Sequence, residues 1–165
     1  MRTHTIMASP VGDLTLVNTD GVLSGISMGT AARPAVDHGP AGFERVIQEL
    51  GEYFAGQRTT FTVATAARGR DFDRRVWALL AEIPFGQTRS YGDLARALGD
   101  VGLSREVGGA LGRNPIGIVV PCHRVLGADG SLTGYAGGLE RKRFLLDLER
   151  GVAPLWAGSA AGASG

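Results

Sequence analysis

Ile116-Gly117-Ile118-Val119-Val120-Pro121-Cys122-His123-Arg124-Val125 is the stretch on which the reading of this chain turns. Its first half is short, apolar and largely β-branched, a pattern that predicts a buried strand delivering the Pro-Cys pair at its end. Cys122 is the only cysteine in the 165 residues, so no intrachain disulfide forms, and a zinc site would need other ligands. One of the three histidines, His123, follows it directly. A thiol at a strand end beside an imidazole suits nucleophilic chemistry. The competing reading is a core cysteine acting as a small hydrophobe, the commoner fate of a cysteine. Polar residues crowd the position where such a cysteine would have apolar neighbours, and the reactive reading prevails.

Composition sets the outer bounds. A chain of 165 residues can bury a real core, as one domain or two small ones. Its 44% hydrophobic and 20% charged content excludes a disordered or fibrous chain. No apolar run approaches the roughly 20 residues of a membrane span, and the N-terminus lacks the charged-then-apolar layout of a signal peptide. Together with a free thiol, these features predict a cytoplasmic protein with no membrane partner. The net charge of +1 says nothing by itself about nucleic acid. Residues 1–66, however, hold four arginines against six acids, whereas residues 67–152 hold thirteen basic residues against ten acids. The second half is therefore the expected phosphate-facing side, with modest and salt-sensitive affinity.

Residues 3–7, 14–18 and 22–28 alternate loosely between turn signals and predict an antiparallel meander with hairpin turns. Residues 29–41 have the composition of a loop. Phe43, Val46, Ile47, Leu50 and Phe54 then fall at helical spacing, so a helix is expected to pack on the sheet. Residues 61–64 suggest a further strand, and 64–70 a linker. Nothing in residues 1–66 marks a site, and His4 and His38 have no expected chemical role.

Past the linker, Phe72, Val76, Leu79, Leu80 and Ile83 make one apolar helix face, stopped by Pro84. Ser90 with Asp93 forms a capping box that puts Tyr91 on the first turn of the next helix. Leu94, Ala95 and Leu98 are its inner face, and Gly99 ends it. Ser104 is expected to cap a short helix carrying Val107, Ala110 and Leu111. Two short helices on a tight turn suggest a helix-turn-helix; an ordinary αα-hairpin is commoner, and the neighbouring thiol decides between them. In the predicted helix 139–149, Glu149 shares a face with Leu145 and Leu146, continuing toward Val152, and a carboxylate on an apolar face is usually paired. Residues 157–165 are only Gly, Ala and Ser, so 153–165 are expected to be a disordered tail.

Asn114-Pro115, the run 116–125 and Gly134-Tyr135-Ala136-Gly137-Gly138 resemble the O6-alkylguanine-DNA alkyltransferases. Ile83-Pro84-Phe85-Gly86 and Arg89-Ser90-Tyr91-Gly92-Asp93-Leu94-Ala95 fit the same family. The likeness is dense from residue 72 to residue 149. Before that it rests on Ser9-Pro10-Val11-Gly12-Asp13-Leu14-Thr15-Leu16 and Tyr53-Phe54-Ala55-Gly56. The resemblance implies an α+β protein. Residues 1–66 would be an N-terminal α/β, ribonuclease H-like scaffold, and residues 67–152 a mostly helical, winged-helix-like domain for DNA binding and alkyl transfer. Human relatives bind zinc in the first domain; with no cysteine there, no metal is expected here, and no cofactor is implied.

The same resemblance distributes roles. Arg105 would enter the duplex and fill the space of an extruded base. Gly108 and Gly109 would let the helix backbone approach the minor groove. Tyr91 would contact the extruded base and its phosphate, and Arg124 would belong with the DNA contacts. Glu106 departs from the small residue common in relatives, and a carboxylate near phosphate weakens binding. Asn114 would brace the strand around the cysteine and belong with the catalytic residues. Val125, Tyr135, Ala136 and Gly137 would form the pocket, with the Ala136 N–H on the base O6 and the carbonyls of Cys122 and Val125 on the exocyclic amine. Relatives often carry Ser at the position of Ala136, a tolerable change where only the main chain is used.

Displacing an alkyl group from a poor leaving oxygen needs a thiolate and a proton for the departing base. His123 is expected to take the Cys122 proton, directly or through a water, and Glu149 to orient and stabilise the imidazole. The expected activity is DNA repair by irreversible, stoichiometric transfer of an alkyl group from O6 of guanine to Cys122, with O4 of thymine as a second candidate substrate. The expected partner is double-stranded DNA, and single-stranded DNA beside it; the protein would be a monomer, with clustering on DNA left open. Rival readings are a non-catalytic sensor of alkylated bases, a helix-turn-helix regulator and a thiol hydrolase. The sensor lacks the cysteine, and the regulator usually carries further cysteines and a second DNA-binding domain.

Overall fold

Asp20-Gly21 has the composition of a two-residue hairpin turn, and φ is 51° at Asp20 and 83° at Gly21. That positive pair is what a type I′ turn requires. The turn joins β2 (Leu14–Thr19) to β3 (Val22–Met28), and β1 (Arg2–Met7) pairs with the other edge of β2, all antiparallel. The computed structural model describes residues 1–28, 39–135 and 137–151. The expected loop 29–41 is thus described only from residue 39, and His38, Ala136, Val152 and the tail 153–165 lie outside the described residues. His4 is buried on β1 opposite Val17.

Helix α1 (Glu44–Phe54) lays Val46, Leu50 and Tyr53 on the sheet. The strand expected at 61–64 does not form. The N–H groups of Thr62 and Val63 donate instead to the buried Glu49 carboxylate, at 2.9 and 3.1 Å, and only Thr65 bridges to Leu23. A side chain thus supplies the acceptors that a neighbouring strand would otherwise have offered.

The second half holds α2 (Asp71–Ala81), β4 (Arg89–Ser90), α3 (Tyr91–Ala97), α4 (Ser104–Gly112), β5 (Val125–Leu126) and α5 (Leu139–Glu149). β4 and β5 pair in parallel. The capping box is complete: Asp93 N–H donates to Ser90 Oγ at 3.0 Å and Ser90 N–H to Asp93 Oδ2 at 2.8 Å. Losing such a cap costs about 1 kcal/mol. Ser104, by contrast, caps nothing. A 3₁₀ turn, Val101–Leu103, runs straight into α4, so the cap sits earlier, where Asp100 accepts the Gly102 N–H at 2.8 Å. The Ser104 hydroxyl donates back to the Val101 carbonyl.

Helix α2 is locked across α4 by Trp77 Nε1–H on the Ala110 carbonyl at 2.8 Å. Arg113 adds a two-pronged pair to the buried Asp73 at 2.9 and 2.8 Å. Those bonds from Arg113, with Arg70 behind them, overcome burial and hold the Asp73 carboxyl at about 2. Two cores result. One joins the meander and α1 to Ile116, Ile118, Phe144 and Leu145; the other joins α2, α3 and α4 to Val125. Among the described residues no helix is long and apolar enough to cross a membrane.

Candidate active site

The run 116–120 is not the expected strand. Ile116 makes a single parallel bridge to Ile26, and the chain then coils: Val119 N–H reaches the Gly117 carbonyl at 2.8 Å, and Val120 N–H that of Ile116 at 3.0 Å. Ile118 has φ 69°, a left-handed conformation that costs a β-branched residue about 1–3 kcal/mol. Its wholly buried side chain in the first core offsets that cost. Asn114 straps the coil, accepting the Ile116 N–H at 3.0 Å and donating to the Val120 carbonyl at 2.9 Å. Cys122 therefore opens a 3₁₀ turn, Cys122–Arg124, instead of ending a strand.

Cys122 is half-buried on the wall of a cavity of about 380 Å³, with Tyr91, Gly108, Leu111, Gly134 and Tyr135 around it. Burial pushes its thiol up; a hydrogen bond from the Asn114 side chain and the charge of Lys142 pull the other way. His123 is completely buried, with Nε2 2.6 Å from Glu149 Oε2. Its Nδ1 is buried and takes no hydrogen bond from any described residue. Burial drives the imidazole below its ordinary value against the pull of Glu149, so it rests neutral. For Glu149, burial works upward, but the His123, Arg124 and Tyr53 donors outweigh it and hold the carboxyl at about 2. An ionised Glu149 fixes the Nε2–H tautomer and leaves Nδ1 as a proton acceptor.

Arg124 requires a correction. It is buried, with Nε and Nη2 on Glu149 at 2.7 and 3.1 Å and Nη1 on the Ile83 carbonyl at 2.7 Å. Each of its three nitrogens donates inside the protein, so it serves the carboxylate and not DNA. Arg105, in contrast, is exposed on the first turn of α4 beside an exposed Glu106, on a groove separate from the Cys122 cavity. Gly108 turns toward the Tyr91 ring, where an added Cβ would sit 3.9 Å away; at Gly109 it would meet the Arg113 guanidinium at 3.1 Å. Tyr91 starts α3, and its hydroxyl bonds Thr133 Oγ1 at 2.8 Å.

The cavity loop is tied down from behind. At Gly137 a Cβ would lie 2.9 Å from the Tyr135 ring and 3.3 Å from Met28 Sδ, so no side chain fits. Arg141 donates to the Gly137 carbonyl at 2.9 Å and to the Val11 carbonyl at 2.7 Å, fastening loop to hairpin. Val125 pairs with Arg89 in the small parallel sheet and packs into the second core.

Two residues of this site were not read from sequence. Lys142 is 1% exposed, donates to the Thr133 carbonyl at 2.8 Å, and bears electrostatically on both Cys122 and His123. Burial lowers its own proton affinity, with the Cys122 charge opposing. A signal existed: Lys142, Leu145, Leu146 and Glu149 share one helix face. The second is Tyr53, whose hydroxyl donates to Glu149 Oε2 at 2.6 Å; its stretch, Tyr53 to Gly56, carried part of the resemblance, but nothing local announces a role in the site.

Residues 71–151 match the family model for the 6-O-methylguanine DNA methyltransferase DNA-binding domain, and residues 3–67 that for its ribonuclease-like domain. The chain is 49% identical over 150 residues to the methylated-DNA–protein-cysteine methyltransferase of Mycobacterium tuberculosis H37Rv, covering 88% of this chain and 91% of that protein. It is 45% identical over 148 residues to the enzyme of the same name from Mycobacterium leprae, covering 87% and 90%. In structure it is similar to Mycobacterium tuberculosis OGT in complex with DNA, with a TM-score of 0.86 and 47% identity over 93% of this chain and 96% of that one. By sequence, by architecture and by the cysteine on its cavity wall, the chain belongs to the 6-O-methylguanine DNA methyltransferase family.

Proposed function

We propose that the protein repairs DNA by moving an alkyl group from O6 of guanine to Cys122 Sγ, once per molecule. The observation that carries this reading is the half-buried Cys122 on the cavity wall, next in the chain to a wholly buried His123–Glu149 pair. Burial keeps the resting thiol protonated, so a base must act first. His123 Nδ1, which takes no hydrogen bond from any described residue, receives the proton through a water, and the imidazolium is stabilised by Glu149. The thiolate then attacks the alkyl carbon; the S–C bond forms as the O6–C bond breaks. Guanine leaves with its charge shared between O6 and N1 and receives the relay's proton there, so charge and atoms balance. The thioether is not hydrolysed back, and the protein is spent.

The damaged base has to leave the stack to reach this cavity, at a cost of roughly a few kcal/mol. Exposed Arg105 is suited to fill the gap, and Tyr91 and Gly108 border the way in. O4-alkylthymine would undergo the same displacement. A free thiol nucleophile suits a reducing compartment, the cytoplasm.

The test is intact mass after incubation with duplex DNA containing O6-methylguanine. A gain of about one methylene, mapped to Cys122 and absent in Cys122→Ser, is the expected result. Methyl loss from the DNA with an unmodified protein would overturn the reading.

A further inference from the structure

Tyr53 lies in the last turns of α1, in the half of the chain where no motif marks a site. Its O–H reaches Glu149 across 96 positions, and it bonds the same oxygen, Oε2, that receives His123 Nε2. The ring is wholly buried, edge-on to Phe54 at 5.3 Å and Phe85 at 6.1 Å, and tilted on Phe61 at 5.5 Å. Phe85 in turn carries the Arg124 guanidinium 5.9 Å from its centroid. A ring clamped in this way delivers its hydroxyl to one point. Burial and the Glu149 charge raise the phenol well above its ordinary range, so it stays a donor.

We infer that Tyr53 is a positioning residue for alkyl transfer: its hydroxyl sets how much negative charge Glu149 presents to His123. The inference rests on the relay proposed above, and it makes the first domain part of the reaction apparatus. A carboxylate oxygen shared among three donors, here Tyr53, His123 Nε2 and Arg124 Nη2, gives less to each. Without the phenol donor, the Glu149 charge falls more fully on the His123 N–H, the imidazolium is better stabilised, and Nδ1 becomes more basic. The other groups facing the pair are Arg124 from the 3₁₀ turn, Lys142 from α5, Cys122, and Tyr135 from the cavity loop. Tyr53→Phe alters none of them, so the lost hydroxyl sets the sign.

The experiment is the pH profile of single-turnover methyl transfer, for Tyr53→Phe and Glu149→Gln singly and combined, with unfolding midpoints measured alongside. The acid limb of Tyr53→Phe should move up by about half a pH unit to one unit, and the shift should vanish in the Glu149→Gln background. Site-specific replacement of Tyr53 by difluorotyrosine, a stronger donor that keeps ring and hydroxyl, should move the limb down and covers the case of a poorly folded Tyr53→Phe. If Glu149→Gln slows transfer while neither Tyr53 change moves the limb, Tyr53 is a packing residue and the inference is overturned alone. If Glu149→Gln leaves the rate unchanged, the relay falls and the inference falls with it.

Discussion

At Cys122 opposing influences meet on one sulfur. Burial favours the thiol, whereas the Asn114 hydrogen bond and the Lys142 charge favour the thiolate. Lys142 is buried, and its ammonium donates to the Thr133 carbonyl, which keeps the charge inside the protein. Lys142→Met should therefore raise the thiol's titration midpoint and slow transfer at neutral pH by about tenfold, the worth of one pKa unit. The pH dependence of Cys122 alkylation by iodoacetamide, beside single-turnover transfer, checks this. A slower rate with an unshifted midpoint would assign Lys142 to holding the Thr133 loop instead. Glu149 was legible in the sequence because a carboxylate on an apolar helix face advertises a buried partner. Arg124 was misread for the complementary reason. Its charge is visible locally, but the carboxylate that consumes it lies 25 positions on and the carbonyl 41 positions back.

Among elements, the helices were readable and the irregular segments were not. The Ser90–Asp93 box, the Gly99 stop and the faces of α2, α3 and α5 are local signals, and each appears in the fold. The run 116–120 has strand composition, yet its polar groups are satisfied by Asn114 and by its own turns, a choice made by a side chain and not by hydropathy. Residues 61–64 fail in the same way, through Glu49. At Ser104 a cap was expected one turn late, because the 3₁₀ turn before α4 is closed by Asp100. Arg105 is exposed on the first turn of α4, on a groove separate from the Cys122 cavity, and the role proposed for it is DNA contact rather than chemistry. Arg105→Ala should slow repair of duplex DNA by about tenfold or more while leaving reaction with free O6-benzylguanine near wild type, since only the duplex must be unstacked. Equal losses on both substrates would mean that Arg105 supports the cavity or the fold.

At the scale of the molecule, the two cores are not two halves of the chain. Ile116, Ile118, Phe144 and Leu145 come from the second half but pack with the meander and α1. Tyr53 from α1 and Arg141 from α5 then cross in opposite directions, one to the Glu149 carboxylate and one to the β1–β2 turn. This mutual dependence was invisible in the sequence, where nothing in residues 1–66 marks a site, because it consists of contacts between positions 96 and 130 residues apart. The arrangement ends in a half-buried sulfur on a cavity wall, next in the chain to the His123–Glu149 pair proposed to activate it. The most direct test of that account is the time course of labelled methyl transfer from duplex O6-methylguanine DNA in molar excess over protein. It should plateau at about one methyl per protein molecule, all of it on Cys122, as expected of a covalent step without a second half-reaction. Linear release of product beyond that plateau, or label on any other residue, would contradict it.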